Sequence, residues 1–108
     1  MPSLIPRSAL PGLEMSDETT GERLANITPG EVLREEFLLP IGLSARALAR
    51  EIGVPANRIT GILHGTRAVT AETALRLARR FATSAEFWMN LQTAHDLEEA
   101  ARRMDRAA

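Results

Sequence analysis

The chain has 108 residues, 13 basic side chains that are all arginine, 14 acidic ones and no cysteine, which allows one domain with a small core. Without thiols there is neither a disulfide framework nor a thiolate metal site, and the reducing cytoplasm is the simplest home. No apolar run approaches the roughly 18 residues of a membrane span, and Pro6, Arg7 and Pro11 interrupt the opening MPSLIPRSALPGL where a secretory signal would be continuous.

The formal net charge of −1 argues by itself against a nucleic-acid binder, but its distribution does not. Residues 1–43 carry −4, residues 44–80 carry +5 and residues 81–108 carry −2. A basic middle is masked by acidic ends, and such a patch attracts polyanions.

Residues 1–27 hold three prolines, few large apolar residues and no sustained period, and read as a flexible tail. Met15 opens MSDETTGERL, a second candidate start. Residues 28–105 read as the folded domain. Thr28-Pro29-Gly30-Glu31 has the pattern of a capping box with proline at the first helical position, opening a helix over about 29–38 with Val32, Leu33 and Phe37 inside. Pro40 and Gly42 end it. Ser44 is a good N-cap for a second helix with Leu48, Ala49 and Ile52 inside, and Gly53 stops that helix at low strain. Pro55 starts a third, with Ile59, Ile62 and Leu63 inward and Gly65 as its stop. Thr70 caps a fourth over about 71–82 with a stripe of Ala74, Leu75, Ala78, Phe81 and Ala82. Thr83 and Glu86 have capping-box spacing, opening a long fifth helix to about 105 through Phe87, Leu91, Ala94, Leu97, Ala101 and Met104. Nothing alternates with period two, so the fold class is all-α with five helices.

The second and third helices, joined by about three residues, have the arrangement of a helix-turn-helix. Any αα-hairpin can use the same devices; the outward face of the third helix is what favours DNA. Asn57, Thr60, Gly61 and His64 recur at helical spacing, giving a slim polar face for a major groove. The base-reading candidates are Ala56, Asn57, Thr60 and Gly61: Asn pairs bidentately with adenine, Thr offers a hydroxyl or a methyl, Ala a methyl, and Gly close approach. Ser44, Arg46, Arg58, His64, Thr66 and Arg67 surround this face where phosphates would run, and would position without reading sequence.

From about Thr28 to Ala100 the chain resembles the HigA-type antitoxins, a branch of the xenobiotic-response-element-like helix-turn-helix regulators of bacterial toxin–antitoxin operons. PGEVLREEFLLPIGLS, LAREIGVPANRITGILHGTRAVT, TALRLARRFATSAEFWMNLQ and HDLEEA carry the likeness. PGEVLREEF followed by TSAEFWMNLQ is more specific than the helix-turn-helix alone. Ala45 stands where many relatives have glutamine. The resemblance implies a lambda-repressor-like five-helix domain with an extended last helix, a homodimer on a palindromic operator, and neutralisation of a HigB-type toxin, an mRNA endonuclease.

Arg76, Arg79 and Arg80 share one face of the fourth helix, which reads as a solvated surface with a Glu72–Arg76 pair. Phe87 is expected in the monomer core, and Trp88 and His95 at a dimer interface. His64 and His95 have no ligand-spaced acids, and His95 beside Asp96 is not a triad, so no metal, cofactor or catalytic residue is assigned. The expected function is an operator-binding autorepressor and antitoxin. A stand-alone regulator, or an interaction module that no longer binds DNA, are the alternatives. The toxin would be held by the acidic tail or by the helix-one surface with Glu31, Arg34 and Glu35; the tail could equally be an inert extension.

Overall fold

The computed structural model of the protein describes residues 25–107, which form five helices and no strand. The first, α1, runs over 29–41. Its capping box closes as expected: Thr28 Oγ1 accepts the Glu31 N–H at 3.1 Å and Glu31 Oε1 accepts the Thr28 N–H at 2.9 Å. Pro40 does not end this helix at residue 38. A proline normally removes an i→i−4 bond and strikes the carbonyl four residues back. Here Leu33–Leu38 is already in π register, with the Leu39 N–H reaching the Arg34 carbonyl, and the chain continues to Ile41 before Gly42 turns it at φ 65°.

Helix α2 is Ala45–Ile52, with Ser44 Oγ accepting the Ala47 N–H at 3.0 Å. Helix α3 is Ala56–Leu63, preceded by Pro55 at its N-cap. Helix α4, Ala71–Phe81, is capped by Thr70 and ends on Ala82 in the left-handed region at φ 58°. Helix α5 is Ala85–Ala107. Its first turn is capped by Ser84, whose Oγ accepts the Phe87 N–H at 3.0 Å. That corrects the Thr83–Glu86 box, because the Thr83 hydroxyl accepts from Trp88 Nε1 at 2.8 Å instead.

The core lies where α1, α4 and α5 meet the α2–α3 pair. Leu33, Leu48, Ile59 and Leu77 are wholly buried, each removal from water contributing about 1.5–3 kcal/mol. Gly30 lets α1 cross α3 closely, since a Cβ there would stand 2.0 Å from the Ile62 carbonyl oxygen.

Two expected stripes are met only in part: Ala74 is buried and Phe81 and Leu91 pack against the core, while other members face solvent. On α4 the buried side chains are Thr73, Ala74 and Leu77, while Leu75 is exposed. On α5 the buried ones are Trp88 and Gln92. Phe87, Ala94, Leu97, Ala101 and Met104 are exposed. The cause is aromatic packing: Trp88, entirely buried, has its ring 5.1 Å from that of Phe37, which also meets Phe81 at 5.0 Å. Seating the largest side chain there sets the rotation of the helix, which keeps Leu91 on the core and turns the rest of the expected stripe outward.

Of the expected tail, residues 1–24 lie outside the described residues. Its end follows α5, with Asn26 Nδ2 donating to the His95 carbonyl at 2.9 Å and to Glu99 Oε2 at 3.2 Å. No helix among the described residues is long and apolar enough to cross a membrane.

Candidate nucleic-acid interface

The turn between α2 and α3 is built by three residues. Gly53 is left-handed at φ 77°, and its N–H and that of Val54 both donate to the Ala49 carbonyl, at 2.9 and 3.0 Å. Arg76 of α4 reaches across, with Nη1 donating to the Ile52 carbonyl at 2.6 Å. A Cβ on Gly53 would lie 3.2 Å from that nitrogen, so space as well as dihedral angle favours glycine here. The pair is thus fixed on α4 through the open end of α2.

On α3, Ile59 and Ile62 point inward and Asn57 outward. Asn57 is exposed; Thr60 is half-buried, its hydroxyl donating to the Asn57 carbonyl at 3.4 Å and keeping lone pairs free. Ala56 is half-buried against the core. Gly61 supports the following loop. Its carbonyl accepts the N–H groups of Thr66 and Arg67 at 2.9 and 3.1 Å and the Thr66 hydroxyl at 3.2 Å, and a Cβ would lie 3.1 Å from Cβ of Arg67.

Ser44 and Arg46 open α2, and His64, Thr66 and Arg67 follow α3, all of them exposed. Among the described residues no carboxylate pairs with Arg46 or Arg67. Arg34, Arg58, Arg76, Arg80 and Arg102 do have acidic partners. Arg58 differs from the other flanking cations: its Nη1 lies 3.9 Å from Glu72 Oε1. Sequence gave no sign of this pair, since the two residues are fourteen apart and meet only because α3 and α4 pack together. Gln92, whose Oε1 accepts the Val69 N–H at 2.8 Å, likewise has no signal in the sequence, its partner being a backbone group far along the chain.

Of the two dimer-interface candidates, Trp88 turns inward. Trp88 is wholly buried, and a side chain with no exposed area cannot anchor a partner; Phe87, expected in the core, is the more exposed of the two. His95 is half-buried, with Nδ1 3.3 Å from the Ile27 carbonyl. Among the described residues no group of three or more His, Cys, Asp or Glu could hold a metal ion.

A bihelical unit held on a third helix, with a slim polar outward face, defines a helix-turn-helix protein. The helix-turn-helix family model matches residues 33–88, and the chain belongs to that family. Within it the chain falls with the HigA-type antitoxins, the group that its sequence resembles. It is 37% identical to Antitoxin HigA-1 of Vibrio cholerae over 82 residues, 76% of this chain and 77% of that protein. It is 54% identical to Virulence-associated protein I of Dichelobacter nodosus over 74 residues, 68% of each. The solved structure of Pseudomonas aeruginosa antitoxin HigA with the higBA promoter matches with a TM-score of 0.74 and 42% identity, covering 77% of this chain and 90% of that one.

Proposed function

We propose that this protein is a sequence-specific DNA-binding autorepressor and the antitoxin of a HigB-type mRNA endonuclease, working in the cytoplasm as a homodimer and carrying no catalytic residue of its own. The observation that carries the DNA reading is the outward face of α3 between Arg46 and Arg67, two arginines with no carboxylate partner among the described residues. Asn57 and Thr60 read base edges; Ser44, Arg46, Arg58, His64, Thr66 and Arg67 position the helix on phosphates. The promoter complex of a 42% identical HigA supports the same target. The toxin is inferred from the likeness to HigA antitoxins.

A single short helix reads too few bases for specificity, and two copies on a two-fold axis read two half-sites. The outward stripe of α5 offers the surface for a second copy. Phe87, Asn90, Ala94, Leu97, Ala101 and Met104 follow one another at alternating steps of three and four residues, all of them exposed. That is the spacing of a coiled-coil seam, which is met by another helix with the same repeat. Leu97 and Met104 are 67% and 72% exposed, and an identical α5 would cover both.

Co-purification with the product of the neighbouring gene, followed by a gel shift on the upstream DNA with and without that partner, tests the proposal. A specific shift and a co-purifying partner support it. A shift with no partner leaves a stand-alone regulator, and no preference for the upstream duplex over a random one refutes the repressor.

A further inference from the structure

We infer that Glu72 sets the strength of the DNA contact: it holds Arg58, the only arginine on α3, with a carboxylate that a DNA phosphate must displace. The inference rests on the reading of α3 and its flanks as the DNA-binding face.

Three contacts fix the carboxylate at the edge of that face. Glu72 Oε2 accepts from Arg76 Nε at 3.1 Å and pairs with Arg76 Nη2 at 3.0 Å, and Arg76 is itself anchored by Nη1 to the Ile52 carbonyl at 2.6 Å. With Oε2 occupied in this way, Oε1 is left toward Arg58 Nη1, 3.9 Å away. Both residues line one open cleft beside α3, together with Arg67 and Thr70. Of the cations assigned to phosphate, only Arg58 has an acidic partner among the described residues.

An exposed pair of this kind is weak, so a phosphate displaces it at a modest cost. The side chains are 30% and 61% exposed, which leaves both within reach of solvent and of a docked strand. The carboxylate therefore lowers affinity for every sequence alike. It leaves the base-reading residues untouched, and so reduces non-specific and specific binding together.

Substitution separates charge from scaffold. Glu72→Gln keeps an oxygen to accept from Arg76 and removes the charge. Wild type, Glu72→Gln, Arg58→Ala and the double variant are titrated by fluorescence anisotropy against a labelled upstream duplex and a scrambled one, over a KCl series, with thermal unfolding recorded on the same samples. Glu72→Gln is expected to bind both duplexes about two- to five-fold tighter. The gain should shrink as KCl rises and vanish in the Arg58→Ala background. A Glu72→Gln protein that binds no tighter than wild type, or whose gain survives Arg58→Ala, overturns the inference: Glu72 is then only a clamp for Arg76 in the first case, and its charge acts on DNA without Arg58 in the second. If the wild type binds neither duplex, the DNA-binding reading itself falls and takes the inference with it.

Discussion

The backbone N–H of Val69 donates to Oε1 of Gln92 at 2.8 Å in the buried interior, joining the loop after α3 to the middle of α5. The other end of the amide is also used, with Nε2 donating to Asp96 Oδ1 at 2.9 Å. Gln92→Leu keeps the volume and strands the Val69 N–H. An unsatisfied buried donor costs about 1–3 kcal/mol. Thermal unfolding of Gln92→Leu should show that loss.

On the proposed DNA face, readout and positioning are expected to separate. Asn57→Ala should relax preference at one base pair of the half-site, costing about 1–3 kcal/mol there, while Arg67→Ala weakens every sequence and lowers the salt slope by about one. Binding titrations on a set of single-base operator variants, repeated at several salt concentrations, check both. Unchanged preference in Asn57→Ala would remove that residue from the reading face.

The stripe on α5 makes a different prediction. Leu97→Glu places a charge at the centre of the proposed seam while touching nothing in the monomer core, since Leu97 is 67% exposed. Light scattering should report a monomer with an unchanged far-ultraviolet spectrum, and affinity for the full palindrome should drop while weak single-site binding persists. A Leu97→Glu dimer would exclude this face.

At Gly30 the obstacle is backbone. A Cβ would sit 2.0 Å from the Ile62 carbonyl oxygen and 2.8 Å from Cα of Leu63. Backbone atoms cannot swing aside, so Gly30→Ala must separate α1 from α3. The loss should be about 1–3 kcal/mol or more by denaturant unfolding, although alanine is the better helix former.

Ala82 predicts the opposite sign. It ends α4 at φ 58°, a conformation that costs an L-residue roughly 1–2 kcal/mol. Ala82→Gly should raise stability by up to about 1 kcal/mol, part of the relief being offset by the greater freedom of glycine when unfolded. Calorimetry on the two proteins tests it.

Local chemistry was legible in the sequence, and long-range chemistry was not. Thr28, Ser44 and Thr70 cap as read, because a cap is settled within four residues. The left-handed turn at Gly53 and the inward Ile59 and Ile62 were readable for the same reason, as was likeness to the HigA antitoxins. The α5 face was not. That helix carries apolar residues on two sides, and periodicity does not say which one a single chain buries; the packing of Trp88 on Phe37 decides it, across 51 residues. On α4, Leu77 takes the core place expected of Leu75, decided in the same way. The Glu72–Arg58 pair and the Gln92 bond depend on where whole helices come to rest.

The Gly61 carbonyl, which takes three donors from Thr66 and Arg67, has a consequence for how a duplex is engaged. The segment bearing Arg67 is already shaped against α3 before any nucleic acid arrives, and reader and anchor travel as one rigid piece. The freedom that a floppy loop surrenders on contact was surrendered when the chain folded, so encounter becomes a matter of orientation rather than of remodelling.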